Sequence, residues 1–142
     1  MSTLTFFPKA CIQETNRLTP TVPSFARRIS QDMKLHGYHI PKDTMVGWNA
    51  FLFNTQFPEP EKFIPERWIE NKKDICPYSV RQFSHGPRMC IGKRFAELEL
   101  LIVMHKMMTN FELKSVQKDP LTISQVLVMA PDQSLDFQFN EL

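Results

Sequence analysis

Four prolines, Pro58, Pro60, Pro65 and Pro77, stand between Asn54 and Ser84 and break every regular element that stretch might form. The chain must run for about thirty residues there without a helix or strand of its own, and a connection that long inside a compact domain points to a functional loop. Its flanks are ordered by contrast. Pro8 suits the first turn of a helix expected over about Lys9 to Leu18, which stops before Pro20. Pro20 and Pro23 then force an extended connection. Short strands are expected from Phe25 to Phe53. The stretch from Leu35 to Pro41 reads as a hairpin with Gly37 near its turn, and Lys42, Asp43 and Thr44 read as a second turn. Met45 to Phe53 is apolar enough for a buried strand.

After the irregular stretch, a long helix is expected from about Ile91 to Thr109. Its apolar residues (Phe95, Ala96, Leu98, Leu100 to Met104, Met107, Met108) nearly encircle it, which predicts a helix buried on most sides. The remainder reads as strands, with Leu135, Phe137 and Phe139 alternating with Asp136, Gln138 and Asn140 at the period of a half-buried strand. The fold class expected is mixed α+β. With 142 residues, 42 % hydrophobic and 23 % charged, the chain is neither disordered nor of low complexity. A net charge of +2 is too small for a general nucleic-acid binder. The three cysteines form no C-x-x-C pair, which excludes zinc and thioredoxin-type readings, and their odd number gives no disulfide framework. No apolar run approaches the length of a membrane span, and Met1 to Thr5 reads as neither a signal peptide nor an Arg-rich transit peptide.

The stretch Phe83 to Gly92 reads FSHGPRMCIG and lies where the irregular loop meets the long helix. A helix N-terminus offers unpaired N–H groups and partial positive charge, which favour a thiolate over a thiol at Cys90. Arg88, Lys93 and Arg94 act in the same sense. Gly86 and Gly92, half of the four glycines, allow a sharp turn and the close approach of something flat. Arg88 is placed for a carboxylate. A thiolate, flat access and an arginine describe the proximal side of a heme.

The same residues carry a resemblance. Phe83, Gly86, Arg88, Cys90 and Gly92 match every fixed position of F-x-x-G-x-R-x-C-x-G, the heme-binding signature of the cytochrome P450 family. Glu14 to Arg17 matches the family's E-x-x-R, and Phe63 to Trp68 (FIPERW) resembles its later F-x-P-E-R-[FW] element. Taken alone, Glu14 and Arg17 are an i,i+3 helix pair of small value on a surface. The resemblance implies instead a buried triad of Glu14, Arg17 and Arg67 that pins the irregular loop beneath the heme. It implies a partial cytochrome P450 fold, with heme b as cofactor and Cys90 as its axial thiolate, metal ligand and catalytic residue. Phe83, His85, Gly86, Arg88, Gly92 and Arg27 would surround the cofactor. Arg27, which follows Pro20 and Pro23, and Arg88 would contact its propionates, and His85 would be a hydrogen-bonding neighbour.

The run Gly92 to Glu99 (GKRFAELE) is typical of mitochondrial-type members, which take electrons from a small acidic ferredoxin. Lys9, Lys93 and Arg94 are the candidate contacts for that donor, although Gln13 stands where the mitochondrial pattern has a second lysine. The alternative donor is a reductase flavoprotein, and the alternative to the mitochondrial inner membrane is the endoplasmic reticulum membrane. The implied activity is an O2-dependent monooxygenation of a small apolar, sterol-like substrate. Family members are far longer, so residues 1–142 are expected to be the C-terminal portion, with the oxygen-activating helix in sequence before residue 1. The segments Val22 to Arg27 and Val126 to Pro131 would face substrate. A non-catalytic fragment with at most weak heme or ferredoxin binding is the competing reading.

Overall fold

The computed structural model describes residues 6–70, 73–76, 78–125 and 128–142. Helix α1 (Phe6–Leu18) includes Pro8 near its start, where the missing N–H breaks no intrahelical bond. Strand β1 (Ser24–Arg28) pairs antiparallel with β4 (Met45–Asn49), in a register that sets Phe25 opposite Trp48 and Arg27 opposite Val46. Between them β2 (Met33–Leu35) and β3 (Tyr38–Ile40) form a hairpin. Its two turn residues, His36 (φ 47°) and Gly37 (φ 85°), are both left-handed, as a two-residue turn between twisted strands requires. Asp43 (φ 67°) makes the second turn, donating its N–H to the Ile29 carbonyl at 2.7 Å.

The expected strand Met45 to Phe53 ends early. Asn49 accepts the Phe51 N–H on its side-chain oxygen at 2.9 Å and caps a short helix, α2 (Ala50–Asn54). Trp48 stacks on Phe53 at 5.2 Å between ring centroids and packs against Phe25 at 5.8 Å, so the apolar run turns back on itself. From Thr55 to Ser84 the described chain is irregular apart from one 3-10 turn, Pro65–Trp68. A second, Gly86–Arg88, precedes helix α3 (Lys93–Asn110). Two further ribbons complete the chain. Strand β5 (Phe111–Ser115) pairs with β8 (Phe137–Glu141), and β6 (Ile123–Gln125) with β7 (Met129–Pro131). The sheets among the described residues are all two-stranded and antiparallel. Val126, one end of the segment expected to face substrate, lies outside the described residues.

The core is small and lies between α1 and the irregular stretch. Ala10, Phe57 and Trp68 are its buried apolar members, with Ile75 and Val80 packed against them. Helix α3 departs from its expected burial: it has no buried residue, and Phe95 (73 %), Met108 (66 %) and Leu98 (57 %) are largely exposed. Phe137 and Phe139 of β8 are also about half exposed. The chain presents 11315 Å² to solvent. A folded monomer of this mass exposes about 7,600 Å². The apolar periodicity of α3 states what the helix is suited to bury; among the described residues no element covers Phe95, Leu98 or Met108.

Candidate functional site

Helical spacing puts Glu14 and Arg17 on one face of α1, turned toward the irregular stretch. Arg17 Nε–H donates to Glu14 Oε2 at 3.0 Å and Nη2–H to Oε1 at 2.9 Å, a bidentate pair shut away from solvent. Arg67, from the 3-10 turn, donates Nε–H to Glu14 Oε1 at 3.1 Å. The carboxylate also receives the Ile64 backbone N–H at 2.9 Å and the Trp68 indole N–H at 2.8 Å. The outward ends of the two guanidiniums bind backbone carbonyls. Arg17 takes those of Pro60 (2.6 Å) and Lys62 (3.0 Å), and Arg67 that of Pro58 (3.0 Å). A proline-broken segment thus has its carbonyls paired by side chains instead of by a ladder. Both guanidiniums also lie over the Phe57 ring, at 5.3 and 5.7 Å from its centroid. Burial pushes the Glu14 carboxyl up, but the hydrogen bonds from Arg17, Ile64 and Trp68 and the Arg17 charge outweigh it and hold it at about 2.

Glu14, Arg17 and Arg67 are therefore brought together, 53 residues separating Glu14 from Arg67. Trp68, Ile64 and Phe57 are members of the cluster that sequence reasoning did not single out. Trp68 had a signal, since it follows Arg67 directly within the FIPERW element.

The Cys90 loop is closed by its own backbone. Ser84 (φ 62°) and Gly86 (φ 74°) adopt left-handed conformations, and Cys90 N–H donates to the Phe83 carbonyl at 2.9 Å. Met89 N–H donates to the Gly86 carbonyl at 3.0 Å. Gly92 is different from the sequence expectation. It is right-handed (φ −78°), and a side chain there would meet Cys90 Sγ at an ordinary 3.8 Å, so the turn does not need glycine at that position. Helix α3 begins one residue later, with Cys90 three residues before its first residue and exposed.

Cys90 opens on a cleft of about 990 Å³ whose wall includes Val22, Phe25, Arg27, Phe83, Arg88 and Leu100. Arg27 Nη2–H donates to Ser84 Oγ at 2.9 Å and to the His85 carbonyl at 3.2 Å, which ties β1 to the loop. The His85 ring meets the Tyr78 ring edge-on at 5.4 Å. The side chains lining the cleft include no carboxylate. One exposed thiol at a helix start, guanidiniums around it and apolar walls form a donor set that fits a flat, apolar, dianionic macrocycle with a soft axial ligand. Among the described residues no group of three His, Cys, Asp or Glu is placed to hold a bare metal ion, and no helix is long and apolar enough to cross a membrane.

The three basic residues singled out as donor contacts are dispersed in their bonding. Lys93 lies 3.9 Å from Glu97, one turn along α3, while Lys9 and Arg94 are exposed and make no ion pair among the described residues.

Comparison with known proteins agrees with this architecture. The family described as "Cytochrome P450" matches residues 6–139. The mouse 1,25-dihydroxyvitamin D(3) 24-hydroxylase, mitochondrial, is 33 % identical over 134 residues, covering 92 % of this chain and 26 % of the relative. The mouse 25-hydroxyvitamin D-1 alpha hydroxylase, mitochondrial, is 36 % identical over 135 residues, covering 92 % of this chain and 27 % of the relative. The chain spans about a quarter of the length of these curated relatives. The crystal structure of a cytochrome P450 (CYP102L1) superposes with a TM-score of 0.85 and 28 % sequence identity, covering 96 % of this chain and 32 % of that one. The four small sheets, the clamped irregular stretch and the long helix after Cys90 are thus a partial cytochrome P450 fold, and the chain belongs to the cytochrome P450 family.

Proposed function

We propose that this chain is the heme-binding C-terminal portion of a heme-thiolate monooxygenase of mitochondrial type. The observation that carries this reading is the position of Cys90, whose thiol opens on the cleft beside Arg27 and Arg88 at the start of α3. When bound, a heme with a thiolate ligand supplies the splitting of O2 and the transfer of one oxygen atom to an unactivated C–H bond.

The chain's own residues have the remaining tasks. Cys90 would hold the iron, its backbone fixed by the Cys90 N–H to Phe83 carbonyl bond that closes the loop. Arg27 and Arg88 would neutralise the propionates of a bound heme, and Arg27 is already held by Ser84 and the His85 carbonyl. Phe83 keeps water from the thiolate side. Gly86, at φ 74°, lets the loop turn. The Glu14 cluster holds the irregular stretch so that the loop is preorganised before the cofactor arrives. Lys9, Lys93 and Arg94 would supply positive charge that steers an acidic ferredoxin delivering electrons one at a time. The names of the relatives support an apolar, sterol-like substrate and a mitochondrial location.

A second reading has its own observation. The exposed apolar surface of α3 favours a chain that is inactive by itself and binds heme at most weakly. A carbon-monoxide difference spectrum separates the two. The chain, alone and joined to the remainder of a family fold, is reduced and exposed to carbon monoxide. The thiolate-type band is expected from the joined protein, lost in C90S and kept in C11S and C76S. A C90S protein with an unchanged band would overturn the ligand assignment. Stoichiometric heme in the monomeric chain alone would overturn the inactive-fragment reading.

A further inference from the structure

We propose that Tyr78, backed by Arg81, is a positioning residue for the Cys90 loop, an inference that deepens the heme-binding reading and rests on it. The loop has a weak point at Ser84, whose φ of 62° is left-handed in a residue that carries a side chain. Gly86 (φ 74°) enters the same region at no steric cost. Ser84 stays there only while its surroundings hold it. His85 lies between the two in extended backbone (φ −150°, ψ 159°). Arg27 of β1 is one restraint, through its bonds to Ser84 Oγ (2.9 Å) and the His85 carbonyl (3.2 Å).

The second restraint is aromatic. The Tyr78 ring meets the His85 ring edge-on, with 5.4 Å between centroids and 84° between planes. Arg81 lies over Tyr78 with its guanidinium carbon 4.0 Å from the ring centroid, closer than either arginine over Phe57. Arg81 Nε is closed to solvent and has no hydrogen-bond partner among the described residues. The stack of Arg81, Tyr78 and His85 lines a cavity of about 330 Å³, shared with Phe25, Arg27 and Trp48. His85 is absent from the wall of the Cys90 cleft, whereas Arg27 lines both spaces. Tyr78 therefore acts on the cleft through the backbone: it holds His85, and with it Ser84 and the carbonyl to which Arg27 is bonded. The Tyr78 side is 55 % exposed and stands outside the core of Ala10, Phe57 and Trp68, so its hold is local.

The test titrates heme into the full chain and its variants by the Soret band, and follows hydrogen exchange of the segment Phe83 to Gly92 by mass spectrometry without heme. Y78L is expected to weaken heme binding about tenfold. It should also speed exchange in the segment, where the Met89 and Cys90 N–H groups are bonded within the loop. Y78F keeps the ring and should match the parent in both. Y78L/R81L should be no worse than Y78L, because Arg81 acts through that ring. Y78L/S84G should recover both readouts: glycine takes the left-handed conformation unaided, and Arg27 keeps the His85 carbonyl. The urea midpoint should hold throughout. Parent-like exchange in Y78L, a Y78F that behaves as Y78L, no recovery in Y78L/S84G, or a urea midpoint that falls in step with heme affinity would each overturn the proposal. Because exchange is measured without heme, a loop that Y78L loosens in a chain that never binds heme refutes the heme-binding reading alone.

Discussion

The Trp68 indole N–H donates to Glu14 Oε2 at 2.8 Å across 54 residues of sequence. Both partners are buried, so this bond completes a carboxylate that accepts from two guanidiniums, one backbone amide and one indole. W68F removes the N–H together with part of the buried ring and keeps a phenyl group beside Phe57, so it should destabilise the chain by about 2–3 kcal/mol, a hydrogen bond to a charged group plus a small void. R17A and R67A should cost more, about 3–5 kcal/mol each, because they leave a buried charge uncompensated. Urea unfolding monitored by circular dichroism gives the order. A W68F loss equal to that of R67A would contradict it.

The same cluster predicts an acid limb. The Glu14 carboxyl is held at about 2 in the folded chain, against an ordinary 4.5. A carboxyl depressed by folding contributes stability that is fully present above its unfolded value and is lost as pH falls through the folded one. Glu14 therefore contributes about 3 kcal/mol at neutral pH, and that contribution drains away between pH 4.5 and 2. E14Q should be much less stable at pH 7, and the gap between it and the parent chain should narrow across that window. A gap constant from pH 6 to pH 2.5 would show that Glu14 does not titrate this way.

The two glycines around Cys90 are expected to differ. Gly86 has φ 74°, and although a Cβ there has open space, an L-residue pays a backbone penalty of about 1–2 kcal/mol. Gly92 has φ −78° and tolerates a Cβ at ordinary contact distance. G86A should lower the unfolding midpoint, while G92A should leave it within about 0.5 kcal/mol of the parent. Equal losses for both would mean that the loop geometry differs from that described.

Much of this architecture was legible in the sequence where one local rule decided it. His36 and Gly37 specify their hairpin because a two-residue turn needs left-handed residues. The Cys90 loop was legible because its residue types and spacing occur together. Helix α2 was not, because Met45 to Phe53 is apolar throughout, and only Asn49, a capping residue in the middle of the run, marked the change. Trp68 was read as part of a motif and not as a donor, since a hydrogen bond across 54 residues has no local signature. The burial of α3 was beyond reach for a different reason: periodicity reports the face a helix offers, and the covering element must come from elsewhere.

That face gives the last prediction. Phe95, Leu98 and Met108 of α3 are each more than half exposed, and Ile102 and Val103 nearly so. Contiguous exposed apolar surface of this kind drives association in a soluble chain. The chain expressed alone should be poorly soluble, and the double variant Phe95→Lys, Leu98→Gln should raise its soluble yield and lower its apparent mass by light scattering. Both positions are solvent-exposed in the helix, so neither substitution removes a buried contact from this chain, and its unfolding midpoint should hold. In a protein that carries the remainder of the family fold, the same pair should destabilise, because burying a lysine and a glutamine against apolar neighbours lacks compensating partners. A double variant that helps both proteins alike would show that α3 is a free surface, with no covering partner in the longer fold, and one that harms both would show that this face already packs within the chain.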